Sequence, residues 1–148
     1  MLSIEISSEG TAHRTNEPQL RKAVRAILED ASIRSAEISI AVVGDAEMHL
    51  LNRKYLDHDY PTDVLSFVLE READHLEGEI IVSADYAARE AVQYGWSTGD
   101  ELLLYVIHGA LHLVGYDDLT PAAKQQIRDR ERHYLAQFGL TPRYDERE

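Results

Sequence analysis

A stretch that is apolar all around a helical axis constrains the fold of this chain more than any other feature. Thr98 and Glu101 have the spacing of a capping box, which predicts that a long helix begins there, and Gly115 ends it. Residues 102–107 are Leu, Leu, Leu, Tyr, Val and Ile, so this helix has no polar face and has to be buried. The apolar stretch 102–114 is shorter than the ~20 residues that span a membrane. We therefore expect a soluble domain built around one central helix.

The remaining pattern alternates irregularly between strands and helices. Apolar runs and period-two alternation predict strands, and caps with amphipathic stripes predict helices. The predicted strands are 2–6, 38–43, 63–69 and 80–82, with an acidic loop between the last two, and the other predicted helices are 18–30, 45–54, 84–94 and one that begins at 121. This order predicts an α+β fold with one small mixed sheet of about four strands packed with about five helices.

Length and composition exclude several classes of protein. The 148 residues contain no repeat or linker, which predicts a single domain over residues 1–148 with a flexible C-terminal tail of roughly ten residues. The absence of cysteine excludes disulfides, thiolate metal ligands and cysteine nucleophiles. The N-terminus lacks an export pattern, so a cytoplasmic location is expected. The net charge of −12 is concentrated in residues 57–101, so a polyanionic partner would approach through the two ends of the chain.

Two histidines on the predicted central helix have the spacing of metal ligands. His108 and His112 are four residues apart, which places them about 40° apart around the axis and one turn apart along it. Two such imidazoles can share one ion, which would satisfy one nitrogen of each ring inside a buried helix. Gly115 permits a turn that brings back Asp117 or Asp118 as a third ligand. The alternative is a pair of hydrogen-bonded core histidines.

The ligand pattern leaves the identity of the metal and the catalytic base open. Three protein ligands with an open fourth position are typical of catalytic zinc, although two histidines and one carboxylate also suit iron(II). Zincin proteases have a glutamate directly after the first histidine, and this chain has Gly109 there, so that mechanism is excluded. A glycine inside a helix also indicates that a substrate or another chain segment passes close to the backbone.

Three segments resemble one known family. The sequence H-G-A-L-H-L-V-G-Y-D-D at 108–118, the block L-N-R-K-Y-L-D-H-D-Y-P-T-D-V-L-S-F at 51–67 and G-E-I-I-V-S at 78–83 resemble the YbeY family of metal-dependent endoribonucleases, in the same order along residues 35–135. The resemblance implies that His108 and His112 are the first two metal ligands, and it places Asp118 where most members have a third histidine. It also implies cleavage of single-stranded RNA in maturation of the 3′ end of small-subunit rRNA and in ribosome quality control, with the small ribosomal subunit as partner.

The family's RNA-binding residues are not all present in this chain. The family has an arginine and a lysine where this chain has Leu56 and His58. The candidates for phosphate contacts are therefore the basic residues nearby and a basic cluster in the N-terminal half: Arg53, Lys54, His58, Arg21, Lys22 and Arg25. Each one alone is better explained as part of a solvated helix face, and only the cluster as a whole favours a role in binding RNA. No DNA or membrane partner is expected.

The predicted mechanism is hydrolysis or transesterification of an RNA phosphodiester. Zinc, the expected ion, lowers the pKa of its bound water to about 7, and the sequence leaves open whether that water or the RNA 2′-OH attacks. Asp117 is predicted to orient His108 or His112 or to accept the proton of the water. The alternatives are a ribosome-associated assembly factor with a structural metal and little or no catalytic activity, and a metallohydrolase that acts on a small substrate.

Overall fold

A computed structural model describes residues 1–8, 13, 15–56 and 63–142, and for Tyr55 and Leu56 it describes the backbone only. The elements in chain order are β1 (Leu2–Ser7), α1 (Glu17–Asp30), β2 (Ser35–Val43), α2 (Asp45–Leu56), β3 (Val64–Glu72), β4 (His75–Ser83), α3 (Ala84–Tyr94), α4 (Thr98–Leu113) and α5 (Pro121–Ala136). The predicted α+β fold with one small mixed sheet is confirmed. Residues 143–148 of the predicted tail lie outside the described residues.

The sheet has the strand order β1-β2-β4-β3. The first two pairs are parallel and the β3–β4 pair is antiparallel, with Ile38 of β2 in register between Ile4 and Gly78. Helix α4 lies on one face of this sheet, and every side chain in 102–107 is buried there. The prediction of a buried central helix is therefore confirmed. Helix α2 covers a smaller apolar cluster on the opposite face, around Met48 and Ile81.

The acidic segment between the two last strands forms a hairpin, and the prediction of a loop there is wrong. Strand β3 continues to Glu72 and β4 begins at His75. In β4 the buried Leu76 and Gly78 alternate with the partly exposed Glu77, so the charged side chains occupy the open face of the sheet. The high charge makes this segment resemble a loop in the sequence. A strand with one solvated face nevertheless tolerates glutamates on that face.

Gly109 is where α4 comes closest to the sheet. A β-carbon at this position would lie 2.8 Å from Ile80 Cγ2 and 3.0 Å from Ser66 Oγ. The Ser66 hydroxyl donates a hydrogen bond to the Gly109 carbonyl at 3.0 Å. Of the two explanations for this glycine, the structure therefore supports the close passage of another chain segment. The contact fixes the histidine-bearing end of α4 against β3.

The chain turns sharply where α4 ends. Gly115 has a φ of 111°, a conformation that L-residues rarely adopt, and the Tyr116 amide donates a hydrogen bond back to the Leu111 carbonyl at 3.0 Å. The turn predicted at Gly115 is present, and it returns residues 117–119 toward the end of α4. Among the described residues, no helix combines the length and the apolar character needed to traverse a bilayer.

Candidate metal centre

His108 and His112 lie side by side in the last turns of α4. Their Nε2 atoms are 2.9 Å apart and their ring centroids 4.5 Å apart. Both side chains are partly exposed, at 23% and 28%. The spacing of four residues on one regular helix places both nitrogens on the same side without any backbone distortion.

Asp118 completes a group of three possible ligands. Its Oδ2 atom lies 3.9 Å from Nε2 of His108 and 3.9 Å from Nε2 of His112. A circle through the three atoms has a radius of about 2.1 Å, which matches the roughly 2.0–2.2 Å of zinc–nitrogen and zinc–oxygen bonds. Two imidazoles and one carboxylate are also a donor set that a divalent metal accepts. The residues present therefore fit one ion.

Glu131 of α5 contacts the opposite nitrogen of His108. Its Oε2 atom lies 2.5 Å from Nδ1, and its side chain is only 1% exposed. The other carboxylate oxygen accepts a hydrogen bond from Nη1 of Arg128 at 3.5 Å. Sequence analysis missed Glu131, although one signal was present: it lies one turn after Ile127 on the apolar stripe of α5, where a carboxylate is unusual.

The two histidines have opposite pKa shifts. Burial disfavours the charged form of His108, but the hydrogen bond and the negative charge of Glu131 outweigh it and raise the pKa of His108. Burial and the neighbouring His108 lower the pKa of His112, against the opposing effect of Asp118. His112 therefore remains an uncharged electron-pair donor to lower pH than His108.

Two cavities meet at this group. The first, of about 330 Å³, extends along α3, α4 and α5 and is lined by Tyr86, Glu90, Tyr94, Leu104, Tyr105, Arg128 and Glu131. The second, of about 500 Å³, follows strand β3 along residues 64–68. Asp63, His108 and Asp118 line both cavities. The candidate metal centre thus lies where two parts of one groove join.

The groove is acidic beside the histidines. Asp63, Glu90, Asp118 and Glu131 line the first cavity, where Arg128 is also present. An anion that enters this region is repelled by carboxylates at short range unless a cation is present. A divalent ion between the histidines would supply that positive charge, so the donor set and its surroundings agree.

The other predicted site residues lie elsewhere or have other contacts. Asp117 is exposed and its carboxylate accepts a hydrogen bond from the Leu119 amide at 3.1 Å. Its predicted catalytic role stays a prediction. The basic candidates are placed as follows: Arg53 and Lys54 are exposed in the last turn of α2, Arg21 donates to the Ile4 carbonyl, Lys22 lies over the Phe138 ring, Arg25 is exposed on α1, and His58 is outside the described residues.

Comparison with known proteins decides the family. The family model described as Endoribonuclease YbeY matches residues 4–139. The chain belongs to the YbeY family. A relative named Endoribonuclease YbeY from Desulfitobacterium hafniense is 39% identical over 93% of this chain and 92% of its own length, and one from Chloroherpeton thalassium is 37% identical over 88% and 92%.

A solved structure supports the same assignment of fold. The solution structure of TM1509 from Thermotoga maritima is similar with a TM-score of 0.64 and 28% identity, over 89% of this chain and 86% of that chain. The resemblance to the YbeY family that the three sequence segments indicate is therefore confirmed. Within this YbeY-family fold, the segments around His108 and Asp63 lie at one groove.

Proposed function

We propose that this member of the YbeY family is a metal-dependent endoribonuclease, with His108, His112 and Asp118 as ligands of one divalent ion. The observation that carries the proposal is the convergence of three ligand atoms where two cavities join. Relatives that share 37–39% of their residues with this chain are named endoribonucleases, which supports the same reaction class here.

The donor set favours zinc. When bound, a divalent ion would supply the positive charge that acidifies an attacking hydroxyl and neutralises the charge that builds on the phosphate. His108 and His112 would hold it through their Nε2 atoms. Asp118 would contribute a negative charge that three histidines lack, which makes the site a weaker Lewis acid. Zinc accepts this set in tetrahedral geometry, and iron(II) is the competing ion.

Asp63 is the residue we propose as proton acceptor. It lines both cavities together with His108, and its Oδ1 atom accepts a hydrogen bond from the Val64 amide at 2.8 Å, which fixes the carboxylate. A carboxylate held in this way can take the proton of either nucleophile, water or the RNA 2′-OH. Asp117, four residues after the end of α4 at Leu113, is the alternative acceptor that the sequence predicts.

The size of the groove supports a single-stranded substrate. Cavities of about 330 and 500 Å³ are on the scale of small-molecule sites, roughly 300–1,000 Å³, which admits individual nucleotides on either side of the ligands. The acidic groove offers little attraction to polyanions, so we propose that docking on the small ribosomal subunit presents the RNA. Maturation of the 3′ end of small-subunit rRNA and ribosome quality control, in the cytoplasm, are the roles we propose.

Basic side chains outside the groove would hold the RNA backbone. Arg53 and Lys54 are exposed together at the end of α2, and Arg25 is exposed on α1. Removing the charge of one lysine or arginine that contacts a phosphate reduces the slope of the logarithm of RNA affinity against the logarithm of salt concentration by about one. Substituting Arg53 and Lys54 by glutamine and measuring RNA binding against salt concentration tests this assignment.

Metal analysis and RNA cleavage test the proposed function together. The full chain, purified without chelator or nickel resin, is expected to contain about one divalent ion and to cleave single-stranded RNA. H112A is expected to lose both while its circular dichroism stays unchanged. If H112A unfolds, the metal is structural, which favours the assembly factor; the aspartate in place of the usual third histidine is the observation in favour of that alternative. Wild-type protein that carries metal but cleaves no RNA would contradict the proposal.

A further inference from the structure

We infer that Glu131 is a positioning residue for the metal centre: its carboxylate holds the Nδ1–H group of His108 and thereby directs the other ring nitrogen toward the ion. The inference rests on the proposed function, because it assigns Glu131 a role toward the ion that His108 is proposed to bind. The geometry behind it is the 2.5 Å contact between Oε2 and Nδ1.

The burial of Glu131 is the first argument. A side chain that is 1% exposed loses nearly all its hydration, and a buried carboxylate is costly unless it is paired. An apolar side chain of similar volume would fill this part of α5, next to Ile127 and Leu135, at no such cost. Packing alone therefore does not explain a glutamate here, whereas an interaction with His108 does.

The chemistry of the imidazole ring is the second argument. A neutral imidazole has one N–H group and one lone pair, so fixing the proton on Nδ1 leaves the lone pair on Nε2. Nε2 of His108 is the nitrogen that faces His112 and Asp118. A carboxylate behind a metal-binding histidine raises its basicity and fixes its orientation. Glu131 is placed to do both.

Arg128 contacts the oxygen of Glu131 that does not contact His108. Its Nη1 atom lies 3.5 Å from Oε1, while Oε2 contacts His108. The two partners hold the carboxylate from both sides, and residues on one helix, at positions 128 and 131, remain adjacent through the helical repeat. The contact with His108 is therefore set by α5 as a rigid element, although it joins residues 23 positions apart.

Two substitutions of Glu131 separate positioning from packing. E131M keeps the volume but removes the acceptor, and E131Q keeps an acceptor oxygen. We expect E131M to unfold at a lower temperature than wild type, because the buried Nδ1–H group of His108 loses its acceptor, and to bind Zn²⁺ about 10–100-fold more weakly in competition with a chelating dye. E131Q is expected to retain zinc affinity within about fivefold of wild type, because its amide oxygen can still accept the hydrogen bond from Nδ1–H of His108. D129N, an exposed substitution of equal charge change on the same helix, is the control.

Nuclear magnetic resonance of the metal-free wild type gives a second measurement that does not depend on any variant. Long-range ¹H–¹⁵N correlation in alkaline buffer is expected to show His108 with its proton on Nδ1. A proton on Nε2, or E131M with wild-type zinc affinity, would overturn the inference. Failure of the wild type to bind zinc would instead overturn the proposed function, so the two failures are distinguishable. If E131M does not fold, the position of the proton in the wild type decides.

Discussion

Groups of three histidine and carboxylate side chains come together in two places among the described residues, and the two places differ in what the rings already contact. Glu70, His75 and Glu77 lie on the open face of the sheet, and His108, His112 and Asp118 lie at the end of the buried helix. His75 has both ring nitrogens within hydrogen-bond distance of protein groups, with Ser35 Oγ at 2.8 Å and Glu77 Oε2 at 2.9 Å.

The helix site is organised differently. His108 has one nitrogen on Glu131, and its Nε2 atom converges with that of His112 and with Asp118. The same residue types thus form an ion-pair cluster at one place and a candidate ligand set at the other. Convergence of lone pairs, more than composition, therefore marks a candidate metal site.

Removing one histidine from each group should reveal the largest difference between the two groups. H112A is expected to reduce zinc affinity by more than about 100-fold. Removing a side chain that only hydrogen-bonds to a metal ligand already costs about 10–100-fold, and His112 is itself a proposed ligand. H75A is expected to leave the metal content unchanged. Metal analysis after equilibrium dialysis measures both. A loss of the bound ion in H75A but not in H112A would reverse the assignment of the two groups.

A methyl group at Gly109 should weaken the packing of α4 on the sheet beside the two histidines. The contact of 2.8 Å with Ile80 Cγ2 forces repacking that costs about 1–3 kcal/mol, against a gain of ~1 kcal/mol in helix propensity. We expect G109A to lower the free energy of unfolding by up to about 2 kcal/mol, measured by urea denaturation.

Gly99 provides the matched control on the same helix. A β-carbon there would meet Ser97 Oγ at 3.8 Å, an ordinary contact. G99A is therefore expected to stabilise the protein by up to about 1 kcal/mol. Equal effects of G99A and G109A would show that the approach of α4 to the sheet is not tight.

A histidine in place of Asp118 tests whether residue 118 is the third metal ligand. D118H is expected to keep or raise zinc affinity, by up to about tenfold, because the neutral imidazole is an equally good zinc ligand. Competition with a chelating dye measures the change. Loss of the bound ion in D118H would refute Asp118 as third ligand. In the same assay, D117A with normal zinc affinity but lost RNA cleavage would support the role predicted for Asp117.

The smallest expected effect is a pKa change on the sheet face. The hydrogen bond with Glu77 raises the pKa of His75, with Glu70 and Glu37 adding to it and burial opposing it. Since the folded pKa is higher than the unfolded value of about 6.5, protonated His75 stabilises the fold below that pH, and the stabilisation is lost as the pH rises through the folded pKa. E77Q should lower the pKa of His75 in a nuclear magnetic resonance titration. An unchanged pKa would show that Glu77 is not its main partner.

Local patterns were sufficient for most elements of the fold. The burial of α4 follows from an apolar run with no polar face, and the turn after it follows from Gly115. The β3–β4 hairpin was not predicted in full because glutamates on a solvated strand face resemble a loop in the sequence. A period of two in residues 75–80, with Leu76 and Gly78 inward, was the signal available.

The candidate site was predictable only where its residues are close in sequence. His108, His112 and Asp118 fall within one helix end and one turn, so spacing brings them together. Glu131 and Asp63 come from α5 and from the start of β3, and their positions depend on how those elements pack on α4. Periodicity along one element does not carry that information.

The turn at Gly115 places the three proposed ligands on unequal supports. His108 and His112 are fixed on a helix that is packed on the sheet, whereas Asp118 follows the turn and is 46% exposed. If these three side chains bind one ion, the two imidazoles would hold it from the packed helix and the Asp118 carboxylate would hold it from an exposed turn. Release of such an ion would then require movement of the turn after Gly115 but no loosening of the packed core.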